Sequence, residues 1–149
     1  LDIVQHLEYL ITNFKDYAKE NGLELSFESS EKELWMDYDA NQVKQILTNL
    51  ISNALKFTNS GGRIHVSLTA VDQQVYIQVR DTGIGIAKAE QEKIFERFYQ
   101  VDQGNTRVGE GTGIGLAHSK ELVSLMGGSI TMESEPGMGS VFGLTLPSS

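Results

Sequence analysis

Apolar residues at Ile3, Leu7, Leu10, Ile11, Phe14 and Tyr17 recur with helical spacing. They predict an amphipathic helix that stops at Asn21-Gly22, a pair suited to a left-handed C-terminal cap. Leu23, Leu25 and Phe27 alternate with Glu24, Ser26 and Glu28, the period of a half-buried strand. Leu34 to Asp37 reads as another short strand. Asp39 is placed to cap a second helix, with Gln42 at the capping-box position. Val43, Ile46, Leu47, Leu50, Ala54 and Phe57 form the apolar face of that helix, and Ser60-Gly61-Gly62 ends it. Ile64, Val66, Leu68 and Ala70 alternate, as do Val75, Ile77 and Val79, on either side of Asp72-Gln73-Gln74, which predicts a hairpin. A short helix is expected to hold Ile94, Phe95 and Phe98. Residues 99–112 are polar and glycine-bearing with no clear period, and loops of that length in a compact domain are usually functional or disordered. Leu116 to Met126 predicts a helix closed by Gly127-Gly128. Ile130 and Met132, then Val141, Phe142, Leu144 and Leu146, predict a final pair of strands around Pro136-Gly137-Met138-Gly139. Helices interspersed with hairpins point to an α+β fold of two layers, a mixed sheet covered on one face by helices.

Composition narrows the chemistry. The length of 149 residues suits a single domain with a sizeable core. No cysteine is present, which removes disulfide frameworks, thiolate zinc sites and cysteine nucleophiles together. Twenty acidic residues against 12 basic give a net charge of −8 and argue against nucleic acid as the main ligand. No stretch approaches 18 apolar residues, the least a membrane-spanning helix needs. The chain starts at Leu1 with neither Met nor a leader and reads as a piece of a longer protein.

Three clusters could carry chemistry. Asn49, Asn53 and Lys56 share one stripe of the second helix, beside its apolar face. Amide oxygens can ligate a hard cation such as Mg²⁺, and a lysine can meet phosphate; an ordinary polar helix edge would look the same. Asp81 ends an apolar strand and is followed by Gly83 and Gly85. A carboxylate so near the core needs a partner and could accept a hydrogen bond from an exocyclic amine such as adenine's, while the glycines would let the backbone approach a flat ring. The competing reading is a strand-to-helix turn with a capping Asp. Gly109 to Leu116 alternates four glycines ahead of a helix, as a phosphate cradle would, or as a plain mobile loop. It is neither a P-loop nor a dinucleotide fingerprint. Arg97, in Phe95-Glu96-Arg97-Phe98-Tyr99, could reach a phosphate or pair with a surface Glu. His6, His65 and His118 have no ligand spacing.

In order and spacing, four segments resemble one family. They are Asn49-Leu50-Ile51-Ser52-Asn53-Ala54-Leu55-Lys56-Phe57-Thr58, Asp81-Thr82-Gly83-Ile84-Gly85-Ile86, Phe95-Glu96-Arg97-Phe98 and Gly111-Thr112-Gly113-Ile114-Gly115-Leu116. They resemble the asparagine, first glycine, phenylalanine and second glycine boxes of the catalytic, ATP-binding domain of bacterial two-component sensor histidine kinases, in the gyrase, chaperone, histidine kinase and mismatch-repair ATPase superfamily. The resemblance covers nearly the whole chain and implies a two-layer α/β sandwich of the Bergerat type. It implies Mg²⁺ on Asn53, phosphate contacts from Lys56 and Arg97, Phe57 over the nucleotide, and adenine's amine on Asp81. Gly83, Gly85, Ile86 and Tyr99 would complete the nucleotide site. Residues 99–112 would be a lid, and Gly111, Thr112, Gly113, Ile114, Gly115 and Leu116 would line the phosphates. Asn49, Asn53, Lys56 and Arg97 would form the catalytic set, with ATP and Mg²⁺ as cofactors.

Two departures shape the expected activity. The family's acceptor motif, a His followed by an acidic residue and Leu-Arg-Thr-Pro, is absent, since the two prolines are Pro136 and Pro147. The dimerisation hairpin with the phosphorylated His is therefore expected upstream of Leu1 in the parent chain. ATPases of the superfamily carry a catalytic Glu where this chain has Asn49, and an amide is no general base at neutral pH, so ATP hydrolysis should be slow. The expected reaction is transfer of the γ-phosphoryl to that His, for relay to the receiver domain of a response regulator. The isolated domain is expected to be monomeric and cytoplasmic, with a membrane sensor as parent. A nucleotide-binding module without catalysis and a protein serine kinase on the same fold are the competing readings.

Overall fold

In the computed structural model, which describes residues 1–95 and 115–148, Asp2 organises the start of the chain. Its Oδ1 accepts the Val4 N–H at 3.1 Å, which caps α1 (Ile3–Glu20), and the Leu34 N–H at 2.9 Å. The segment expected as a strand at 34–37 is therefore a single bridge, Asp2 to Trp35. The two residues ahead of α1 are too short a partner for a ladder, and the Leu34 N–H is spent on a side chain. Asn21 and Gly22, the latter at φ +71°, end α1 as the sequence predicts.

Alternation of apolar and polar residues builds β1 (Glu24–Ser29), β2 (Arg63–Val71) and β3 (Gln74–Asp81). Asp39 caps α2 (Ala40–Phe57) through the Asn41 and Gln42 N–H groups at 3.0 and 3.2 Å. After β3 comes α3 (Lys88–Gln91), one turn that stops short of Ile94. The predicted helix through Ile94 and Phe95 is not formed there: both sit in turn conformation, and Phe98 lies outside the described residues. What holds this segment is tertiary, with Ile94 buried and the Phe95 ring edge-on to Phe142, centroids 6.4 Å apart. The chain closes with α4 (Gly115–Leu125), β4 (Ser129–Glu135) and β5 (Gly139–Pro147).

The strands form one sheet in the order β1-β2-β3-β5-β4. β1 and β2 run parallel and the other pairs antiparallel, so the sheet is mixed, as expected. α1 packs on β1, α2 on β3 and α4 on β4. Ile64, Val66, Leu68, Val75, Ile77, Val79, Leu144 and Leu146 face the helices and are all buried. α2 contributes Ile46, Leu47, Leu50 and Ile51, each at most 1% exposed, so the stripe that borders these positions is fixed by the core itself. Burial of each such side chain contributes roughly 1.5–3 kcal/mol.

The β2–β3 hairpin turns on Asp72 and Gln73, both left-handed with φ of 51° and 63°. Two positive values suit a two-residue type I′ turn, whose second position favours glycine. Gln73→Gly is expected to raise stability by up to about 1 kcal/mol in chemical denaturation; a loss would show that the Gln73 side chain contributes a contact.

Candidate functional site

The end of α2 meets residues 81–86 where β3 finishes and β5 begins, and α4 packs on α2. Asn49, Asn53 and Lys56 lie along one edge of α2, all half-buried, next to the buried Leu50, Ala54 and Leu55. Phe57 closes the helix, half-buried, with the Lys56 Nζ 5.3 Å from its ring centre. Asn49 donates its Nδ2–H to Ser119 Oγ on α4 at 3.1 Å, which ties the two helices across the site.

Asp81 pairs with Ser140 in the β3–β5 ladder and is 6% exposed. Its Oδ1 accepts two backbone N–H groups, Gly83 at 2.9 Å and Ser140 at 3.2 Å. Burial pushes its carboxyl above the ordinary carboxylate range, and those two N–H bonds pull the other way. No hydrogen bond among the described residues reaches Oδ2, and no sealed side-chain polar atom lacks a partner. Oδ2 is therefore the atom that keeps access to the outside, and a carboxylate oxygen there is an acceptor.

Residues 83–86 are clamped from both sides. The Ile84 N–H donates to the Phe57 carbonyl at the end of α2 at 3.1 Å, and the Ile84 carbonyl accepts from Gly137 N–H in the β4–β5 turn. The Ile86 N–H donates to Ser134 Oγ at 2.8 Å, and Ser134 in turn bonds Ser140 Oγ and the Gly139 carbonyl. Gln91 Nε2 bridges the Ile86 and Ser134 carbonyls at 2.8 and 3.0 Å. The glycines serve this clamp. A Cβ on Gly83 would overlap the Phe57 carbonyl, and one on Gly85, at φ +75°, would overlap the Glu135 carbonyl. At these two positions the missing side chain admits the protein's own backbone.

Of the other expected site residues, Gly115 opens α4 and Leu116 packs half-buried against the core. Arg97, Tyr99, Gly111, Thr112, Gly113 and Ile114, and the expected lid at 99–112, lie outside the described residues. Sequence reading passed over Ser119, Ser134, Ser140 and Gln91. A signal existed for two of them: Ser119 sits at an apolar-face position between Leu116 and Val123, and Ser134 continues the Ile130–Met132 face of β4. A polar residue on an apolar face has a partner to find.

Among the described residues no group of three His, Cys, Asp or Glu could cage a metal ion. The half-buried amide of Asn53 fits a different arrangement, a hard cation shared with a bound polyphosphate.

Gly85→Ala is expected to cost several kcal/mol in denaturant unfolding, from strain at positive φ and overlap with the Glu135 carbonyl; a change below about 1 kcal/mol would mean the clamp yields easily. Asp81 makes a pH-dependent prediction. With its native pKa raised, the native state holds more proton than the unfolded chain between the ordinary and the raised value, so stability falls as pH rises through that window. Asp81→Asn keeps an Oδ1 for both N–H groups and removes that slope. Its melting temperature relative to the parent should climb as pH rises from about 4, the ordinary carboxylate value; a difference that stays flat with pH would contradict the assigned burial.

A family profile described as histidine kinase-, DNA gyrase B-, and HSP90-like ATPase matches residues 38–149. The sensor histidine kinase WalK of Bacillus subtilis is 39% identical over 149 residues, which cover 99% of this chain and 24% of that protein. The chain thus spans about a quarter of that curated relative's length. The crystal structure of full-length ShkA in complex with AMPPNP superposes with a TM-score of 0.87 at 31% identity, over 100% of this chain and 30% of that one. The catalytic domain of the histidine kinase ThkA gives a TM-score of 0.87 at 25% identity, over 99% of this chain and 93% of that one. The chain belongs to the histidine kinase-, DNA gyrase B-, and HSP90-like ATPase family.

Proposed function

We propose that this chain binds Mg-ATP between α2, residues 81–86 and the start of α4, and serves as the catalytic domain of a protein-histidine kinase. The observation that carries the reading is Asp81: a buried carboxylate with Oδ1 held by two backbone donors and Oδ2 left to accept from outside. That atom would accept the adenine exocyclic amine. From there the nucleotide would extend toward α2, where Phe57 flanks it and Lys56 meets phosphate as a point charge. Magnesium held by Asn53 and the triphosphate would neutralise charge on the transferring group. Arg97 and the glycines at 111–115 would add phosphate contacts, with Tyr99 at the nucleotide and residues 99–112 as a lid. The relatives' names and the AMPPNP-bound ShkA structure support this reading.

In the proposed reaction an imidazole nitrogen uses its lone pair to attack the γ-phosphorus. The bond to the β–γ bridging oxygen breaks, ADP leaves with that electron pair, and the imidazole gives up its N–H proton to water. This chain supplies position and charge rather than a base: Asn49 can orient but cannot take a proton. The motif that would carry the acceptor His is absent from these 149 residues. The acceptor would be the dimerisation hairpin of the same parent protein, and a response-regulator aspartate would take the phosphoryl next. We read the domain as a cytoplasmic part of a membrane sensor; among the described residues no helix is long and apolar enough to cross a membrane.

Calorimetry with ATP and ADP, with Mg²⁺ and with excess chelator, tests the site. One saturable site that tightens with Mg²⁺ more for ATP than for ADP is expected. No adenine-nucleotide binding under either condition would refute the reading. Incubation with a separately supplied acceptor hairpin should then give acid-labile, base-stable phosphohistidine. Acid-stable phosphoserine, or binding with no transfer at all, would favour a serine kinase or a non-catalytic nucleotide-binding module respectively.

A further inference from the structure

Ile86 is gripped at its N–H and at its carbonyl, from β4 and from α3. The N–H donates to Ser134 Oγ at 2.8 Å. The carbonyl accepts from Gln91 Nε2 at 2.8 Å, and the same Nε2 donates to the Ser134 carbonyl at 3.0 Å. A serine hydroxyl has one hydrogen to give and two lone pairs to receive with, which fixes the direction of the remaining bonds. Ser134 gives its hydrogen to the Gly139 carbonyl at 3.0 Å, so the Ser140 hydroxyl, 2.8 Å away, donates to Ser134. With the Ile86 N–H on the other lone pair, Ser134 Oγ is saturated. The contacts then close on Asp81. A Cβ on Gly139 would overlap the Asp81 carbonyl, so the two backbones touch there, and the Ser140 N–H holds Asp81 Oδ1 at 3.2 Å. Ser134 thus ties the far end of residues 81–86 back to the residue that begins them.

We infer that Ser134 is a positioning residue for recognition of the base: it fixes Ile86 relative to Asp81, and the site discriminates between bases because that spacing is fixed. The inference rests on the proposed reading of Asp81 Oδ2 as the acceptor of the adenine exocyclic amine. An acceptor rejects a second acceptor only where neither can move away or admit a water between them. With residues 81–86 held, a base that carries an oxygen in place of the amine meets Oδ2 with no donor to share. With Ile86 released, the base shifts, water enters between the two oxygens, and the penalty falls. Gln91 acts in the same direction from the carbonyl side of Ile86.

Calorimetry with Mg-ATP and with Mg-ITP on the parent chain, on Ser134→Ala and on Gln91→Met reads this directly. In each variant the ratio of Kd for ITP to Kd for ATP should fall about three- to tenfold, the size of one net hydrogen bond. Ser134→Thr, which keeps the hydroxyl, should restore the ratio. A purely structural role for Ser134 would weaken ATP and ITP by the same factor and leave the ratio where it was. That equal weakening, or a Ser134→Thr chain that behaves like Ser134→Ala, would overturn the inference. Should Ser134→Ala fail to fold, an unmoved ratio in Gln91→Met overturns it alike. A parent chain that binds ATP no more tightly than ITP, or binds neither, overturns the reading of Asp81 and the inference with it. A parent that prefers ATP, with variants that keep the preference in full, overturns the inference alone.

Discussion

A carboxylate buried at the end of a strand must be hydrogen-bonded or the fold does not tolerate it. Asp81 meets that demand with the N–H of Gly83, two residues on, and the N–H of Ser140, across the sheet. The first bond bends the chain off β3, and the second locks that bend to β5. Residues 83–86 then lie between the last carbonyl of α2 and the β4–β5 turn, and little freedom is left to them. Both donors use the same oxygen. The constraint that holds the site together therefore also leaves one acceptor atom facing out, and the proposed adenine contact follows from it.

α2 serves the core and the site with one helix. Its apolar face fixes its rotation and depth, since Ile46, Leu47, Leu50 and Ile51 are almost wholly buried. Asn49, Asn53 and Lys56 inherit their positions from that packing. A loop would place the same groups less firmly. The Asn49–Ser119 bond extends the arrangement to α4, so the parts proposed to hold cation and phosphate are joined through side chains as well as through the core.

Much of this was legible in the sequence because periodicity reports burial. The α1 and α2 faces, the β2–β3 hairpin, the two-layer mixed sheet and the placement of Asp81 at a strand end all follow from spacing. The misreadings have physical causes. Residues 34–37 look like a strand, but their partner is two residues long and an Asp2 side chain takes one of the ladder donors. Ile94 and Phe95 were expected in a helix, yet Ile94 is held by burial in the core and Phe95 by packing on Phe142 rather than by helix bonds. Gly83 and Gly85 have a structural reason that the sequence did not show, the close approach of the Phe57 and Glu135 carbonyls. Ser119 and Ser134 were hidden because a single polar residue on an apolar face names no partner; only the fold brings Asn49 and Ile86 to them. Arg97, Tyr99 and residues 111–114 remain readings of the sequence, outside the described residues.

The central claim is that Asp81 Oδ2 reads the exocyclic amine of adenine. The relative affinity of the chain for ATP and ITP tests it most directly, because inosine replaces that amine by an oxygen and leaves the triphosphate unchanged. The account predicts that ATP binds on the order of tenfold or more tightly, since ITP would set two acceptors against each other. Equal affinity for the two nucleotides would contradict it.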